Sequence, residues 1–299
     1  MSEILRQELS FSYLKGVGIE VGALHYPLPV SGEAKVRYLD RMSVADLRKH
    51  YRELDHLELV DVDVIDDGEV LGSFENNSLD FVIANHMLEH CENPIGTLRQ
   101  HFKKIKEGGI GYYAVPDKNY TFDRERSLTT FDHLLFDDKL GALGSREQHF
   151  REWVTYISKT QGDEAANLVK HLMEINYSIH FHVWDYNTFH EFIIKVSQYL
   201  GNVFKVEELV KNDEEIICIL RKDQDVNLDE QIKVVEMEQI EGHKAAGVTA
   251  EMEAKNEELS RLVTALKGEV DDLRGSTSWR FTEPLRACKK IVQRALNRK

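Results

Sequence analysis

Gly16-Val-Gly-Ile-Glu-Val-Gly-Ala-Leu-His-Tyr26 is the stretch whose reading decides the fold. Val17 to Val21 reads as a short buried strand that breaks at Gly22 into a tight turn, where a missing side chain lets the backbone pass close to a bound group. Glu20 is an acid in this otherwise apolar strand end, and a carboxylate facing a ligand there points to positive charge on that ligand. Farther on, Val36-Arg-Tyr-Leu-Asp40 is a second strand ending in an acid, with Arg41 next to it. The separation is the one at which α/β nucleotide sites place a ribose-binding carboxylate, about twenty residues. Two acid-tipped strands define a crevice. A glycine turn that is nothing more than a turn is the plainer alternative, and the features that follow weigh against it.

The 299 residues are enough for one large domain and an appendage. An apolar content of 42%, with 13 Phe and 11 Tyr, supports a real core. The net charge of −14 argues against a nucleic-acid backbone as the main partner. Cys91, Cys218 and Cys288 lie far apart and form neither a disulfide framework nor a zinc spacing, which fits a reducing cytosol. The first residues carry acids and no apolar signal region, and no apolar run reaches about 18 residues. The expectation is a soluble, cytoplasmic chain.

Residues 1 to 15 read as a short helix, and Ser43 as the N-cap of another. Leu57-Glu-Leu-Val-Asp-Val-Asp-Val-Ile65 alternates and reads as a strand, ending in the turn Asp66-Asp67-Gly68. Phe81-Val-Ile-Ala84 is a buried strand with Asn85 and His86 at its carboxyl end. A helix follows from Ile95 to Ile105, with Pro94 in its first turn. Lys106-Glu-Gly-Gly109 reads as its stop, and Ile110 to Val115 as the next strand, closed by Pro116-Asp117. This rhythm predicts a doubly wound, mostly parallel sheet with helices on both faces. Ligands of such sheets bind outside the carboxyl ends of the strands, where these acids and amides fall.

Leu79-Asp-Phe-Val82, Leu88-Glu-His90 and Lys106-Glu-Gly-Gly109 resemble the strand, Leu-Glu-His and pre-strand glycine motifs of class I S-adenosylmethionine-dependent methyltransferases. The resemblance covers residues 16 to 222 and implies a seven-stranded Rossmann-like sheet whose final hairpin makes the last strand antiparallel. It departs at the cofactor loop, where Gly22 stands without the further glycines and Leu24 and Tyr26 take their places. The chemistry also separates this site from a nicotinamide site. A pyrophosphate wants glycines and a helix N-terminus, whereas S-adenosylmethionine brings an ammonium and a sulfonium, which suit Glu20. The resemblance implies Glu20 and Gly22 along the methionine portion, Asp40 at the ribose, and Ala23 and Arg41 among the further cofactor contacts. It implies Asp66 or Asp67 at the adenine, and Asn85 and His86 beneath the sulfonium.

Residues 121 to 178 leave the pattern with a largely helical insertion after the fifth strand, read as a substrate lid or as a helical pair covering the sheet edge. Ile179-His-Phe-His-Val-Trp-Asp-Tyr then puts His180 and His182 on one side of an extended run. Asp185 or Asn187 caps the helix after it. Methylating a hydroxyl requires a proton acceptor, and His182 is the first choice, oriented by Asp117 or His86. A packed histidine is the plainer reading. His86, Glu89, His90, His180 and His182 are of types that suit a metal, yet no fixed spacing defines ligands, and no metal is assigned.

Beyond Lys222, residues 223 to 244 read as an acidic linker. Ala245, Met252, Leu259, Leu266 and Leu273 recur every seven residues, the seam of a short coiled coil over 245 to 274 that predicts a homo-oligomer. Gly275 to Arg286 contains Ser-Trp-Arg-Phe-Thr-Glu-Pro-Leu-Arg, which resembles an element found after coiled coils in bacterial surface-polysaccharide enzymes. The tail from 275 to 299 carries seven basic residues and one acid. Its segment from 285 to 299 has an apolar helical face suited to an anionic membrane surface, such as the inner face of the cell membrane, or to an acidic partner, a solubilising terminus being the plainer reading. The combined expectation is an O-methyltransferase acting on a sugar or glycan intermediate. The alternatives are a glycosyltransferase using Asp61-Val-Asp63 to hold a metal and a nucleotide sugar, and a non-catalytic coiled-coil scaffold.

Overall fold

The structure, a computed structural model, describes residues 2–52 and 56–223. The linker, coiled-coil and tail readings therefore lie outside the described residues. Seven strands form one sheet in the order β3-β2-β1-β4-β5-β7-β6. They are β1 (Gly16–Val21), β2 (Ala34–Asp40), β3 (Val64–Ile65), β4 (Leu79–Asn85), β5 (Ile105–Pro116), β6 (Phe204–Asn212) and β7 (Glu215–Lys222). β3, β2, β1, β4 and β5 pair in parallel, while β7 runs antiparallel to both β5 and β6. The chain order reverses between β1 and β4, so the crevice for a ligand opens at their carboxyl ends.

Alternate residues explain the two faces. Phe81 and Ile83 of β4, Ile110, Tyr112 and Ala114 of β5, and Ile217 and Ile219 of β7 share one buried cluster with Leu9, Leu14 and Leu28. Helix α1 (Ser2–Tyr13) covers that face, with Leu5, Leu9 and Tyr13 at helical spacing. The opposite side is covered by α3 (Pro94–Lys104), begun by the Asn93 cap and Pro94, and α7 (Tyr186–Tyr199). Asp185 caps α7, exchanging hydrogen bonds with Thr188. Phe102 stacks on Phe204, and Trp184 on Phe192. Gly18 is required where β1 meets β4, because a Cβ there would lie 2.3 Å from the Phe81 carbonyl oxygen.

Two local expectations are corrected. The strand expected over Leu57 to Ile65 is reduced to Val64–Ile65, because the Asp63 carboxylate accepts the Tyr38 amide at 2.8 Å and so displaces a regular ladder before Val64. Lys106 to Gly109, expected as a helix stop, belongs to β5. It bulges between the Leu79–Ile105 and Phe81–Ile110 pairs, with Gly108 at φ +76°. No helix links β1 to β2; residues 22–33 make that crossover as a loop, and α1 supplies cover for the sheet instead. Helix α2 (Val44–His50) does begin at Ser43, whose Oγ accepts the Asp46 amide at 3.3 Å.

The insertion is helical, with α4 (Phe131–Leu140), α5 (Arg146–Trp153) running into a wider π turn, and α6 (Gly162–Glu174). It has its own small core, in which Phe150, Val154, Val169 and Leu172 pack on Ile179 and Phe181. Residues 179 to 183 run extended without joining the sheet, and Trp184 bridges to Asp117.

Candidate active site

A cavity of about 820 Å³ lies across the carboxyl ends of β1 to β4. β1 delivers Val21 and Gly22 to it, β2 Leu39 and Asp40, β3 Ile65, and β4 Asn85, each followed by the turn residues next in sequence. Gly22 sits at φ +65° with open space where a Cβ would project, so the chain turns there without crowding the cavity. Arg41, Asp66, Asp67 and His86 also form the wall.

The polar groups differ in how far the protein already satisfies them. Asp40 is 9% exposed; burial pushes its carboxyl up, against hydrogen bonds from the Arg41 and Met42 amides. Asp66 accepts the Asp67 and Ser73 amides, both at 2.7 Å, and Asp67 accepts the Glu69 amide at 2.8 Å, so these two acids shape their own turn. Arg41 is held by His50 at 3.0 Å and Tyr51 at 3.1 Å. Asn85 is different. Both polar atoms of its amide are buried and have no hydrogen-bond partner in the protein, which in a wall residue points to a ligand that supplies one.

His86, at φ +51°, lies with Nε2 2.8 Å from Glu215 Oε2 and Nδ1 3.5 Å from Glu89 Oε1. Burial lowers its pKa, but the two carboxylates prevail and raise it to about 9, so the ring is cationic at neutral pH. A cation cannot take a further proton, so His86 is excluded as a base in this state.

The expected site residues divide into two groups. Gly22, Asp40, Arg41, Asp66, Asp67, Asn85 and His86 come together around the cavity; Glu20, Ala23, Asp117 and His182 do not line it. Glu20 is 1% exposed, and both its oxygens accept the Leu28 amide, at 3.0 and 3.1 Å. It anchors the crossover loop where the sequence suggested a ligand-facing acid. Burial raises its pKa to about 7. Asp117 is buried and accepts the backbone and side-chain nitrogens of Asn119, at 3.0 and 2.9 Å. His182 is 1% exposed among His133, His149 and Trp184, and burial pushes its pKa well down.

Glu69, Met87, His90, Cys91 and Ser178 are wall residues that the sequence did not assign to the cofactor or to the chemistry. Of the insertion, Ser178 alone reaches the wall. For His90 a signal was present, since it closes the Leu-Glu-His motif. Its Nδ1 lies 2.9 Å from the Ile179 carbonyl, with Ser178 Oγ at 3.1 Å. A carbonyl only accepts, so Nδ1 carries the hydrogen and Nε2 the lone pair. Burial lowers its pKa, and the ring is neutral at pH 7. Glu89, His90 and His180 also place one potential ligand atom each within 4.8 Å of one another.

Residues 32–162 match the family model of a methyltransferase domain. No curated protein matches the sequence. Among solved structures, the fold is similar to a putative S-adenosylmethionine-dependent methyltransferase from Listeria monocytogenes, at 10% identity and TM-score 0.42, covering 75% of this chain and 97% of that one. It is similar to a methyltransferase of the same kind from Mesorhizobium loti, at 12% identity and TM-score 0.41, covering 74% and 98%. It also resembles the CurJ carbon methyltransferase, at 14% identity and TM-score 0.38, covering 75% of this chain but only 54% of that one. Residues 32–162 are thus similar to a methyltransferase domain and lie in a seven-stranded sheet of Rossmann-like order, and the cofactor that this similarity implies is S-adenosylmethionine. The residues present fit this cofactor, since the cavity joins a strand-end carboxylate, Asp40, to the unsatisfied amide of Asn85.

Proposed function

We propose that the protein methylates an oxygen of a sugar or glycan intermediate in surface-polysaccharide biosynthesis, with His90 as the proton acceptor. The observation that carries the chemistry is His90 itself, a neutral imidazole on the cavity wall whose Nδ1–H is committed to Ile179 and whose Nε2 keeps a lone pair. Bound S-adenosylmethionine supplies an electrophilic methyl group on a cationic sulfur. Asp40 would hold the ribose hydroxyls and Asn85 would hydrogen-bond the cofactor. His90 Nε2 would take the proton of an acceptor hydroxyl placed at the wall, leaving its oxygen able to attack. The sugar reading is supported by the tail element between Gly275 and Arg286. Self-association through 245–274, contact of 285–299 with the inner membrane face and a cytoplasmic location belong to the same proposal. No helix among the described residues is long and apolar enough to cross a membrane.

Labelled methyl transfer to nucleotide sugars, lipid-linked glycans, peptides and small amines tests this reading. Label on a sugar oxygen, lowered about 10²–10⁴-fold by His90→Ala and much less by His182→Ala, is the expected result. Transfer to peptides or amines alone overturns the acceptor assignment, and full activity of His90→Ala overturns the base.

A further inference from the structure

We infer that His133, His149 and His182 form a divalent-metal centre of the zinc type that braces the insertion against the segment 179–184. Three elements supply the donors: His133 from α4, His149 from α5, and His182 from the extended run. One ring nitrogen from each histidine lies within 4.8 Å of the other two. His133 Nε2 is 3.0 Å from His149 Nε2 and 3.1 Å from Asp137 Oδ2. Donors at the corners of a tetrahedron with zinc bonds of 2.0–2.2 Å are about 3.3–3.6 Å apart, so the His133–His149 pair opens by a few tenths of an ångström around an ion, and His182 stands within 4.8 Å to join it.

Hydrogen placement points the same way. His182 Nε2 lies 3.4 Å from the Glu92 carbonyl, which makes it the donor and leaves Nδ1 as a buried lone pair; that atom has no partner in the protein. The ring of His149 is held by the Phe181 backbone, whose amide is already given to Glu89, so His149 donates to the Phe181 carbonyl and turns a lone pair towards His133. Two imidazole lone pairs and a carboxylate thus surround His133 Nε2, which can carry a single hydrogen. One hydrogen cannot serve three acceptors, whereas one cation can.

The surrounding contacts are those that orient metal ligands. Backbone carbonyls fix the outer nitrogens of His149 and His182, and Ser145 Oγ donates to Asp137 Oδ1 at 2.6 Å. Imidazole donors suit zinc. None of the three histidines lines the cofactor cavity.

The test uses the full chain without an affinity tag, stripped by chelator and titrated with Co²⁺ and Zn²⁺. The expected results are the intense visible bands of tetrahedral Co²⁺, their displacement by Zn²⁺, and a higher unfolding temperature with Zn²⁺ but not with Mg²⁺. His133→Gln, at the most exposed ligand, should weaken Zn²⁺ binding by more than about tenfold while its metal-free form unfolds like the metal-free parent. His149→Gln provides a second variant with the same expectation. Absence of the bands, or binding unchanged in both variants, overturns the proposal, the latter because it places the ion elsewhere in the chain.

Discussion

Arg6 Nε donates to Glu215 Oε1 at 2.7 Å, and its Nη2 donates to the other oxygen, joining residues 209 positions apart. The pair is buried, at 7% and 6% exposure, and Glu215 also receives His86 from the cavity wall. The first helix is thereby tied through the last strand to the active-site edge. Removing Arg6 leaves the buried Glu215 carboxylate with only His86 and Asn212 to offset its desolvation. Arg6→Ala should therefore lower the unfolding free energy by about 3 kcal/mol, read from urea midpoints at constant slope.

The same cluster sets a pH dependence. His86 is raised from the ordinary 6.5 to about 9, so its contribution is complete below pH 6.5 and disappears as pH rises to 9. Glu215 is lowered from 4.5 to about 2; burial opposes that shift, and Arg6 and His86 outweigh it. Its contribution is complete above pH 4.5 and disappears as pH falls to 2. Thermal unfolding should show a decline above neutrality that His86→Asn flattens. An alkaline limb identical in the variant would contradict this assignment.

Asn85 loses no protein hydrogen bond when truncated, because it makes none. Asn85→Ala should leave the stability of the ligand-free protein nearly unchanged. The rise in melting temperature on adding S-adenosylmethionine should shrink, with affinity lower by about 1–3 kcal/mol. Differential scanning fluorimetry with and without cofactor separates the two effects.

Legibility in the sequence followed periodicity. The strand cores from Gly16 to Val21 and from Leu79 to Asn85, the Asn93-Pro94 and Asp185 helix starts and the antiparallel closing strands all carry local signals. The wall residues at strand ends could be read for the same reason, since topology puts strand ends together. Side-chain direction could not. Glu20 has the composition of a ligand contact, yet the path of the loop to Leu28 turns it inward. His180 and His182 share a period-two spacing but leave it for different neighbours, Asp123 and the His133–His149 pair. These contacts depend on where the inserted helices settle, which no spacing within residues 179 to 184 encodes. Alternation over Leu57 to Ile65 has the period of a half-buried strand, and Asp61 and Asp63 are exposed as that period demands, yet only Val64 and Ile65 pair with β2.

The most direct measurement is calorimetric titration of S-adenosylmethionine and its demethylated product into the full chain and into Asp40→Ala. Micromolar binding to the parent, weakened by about 1–3 kcal/mol in the variant through lost charged hydrogen bonds, is the predicted result. Absence of binding to the parent, or equal affinity of the two proteins, would contradict a cofactor seated on the strand ends around Asp40.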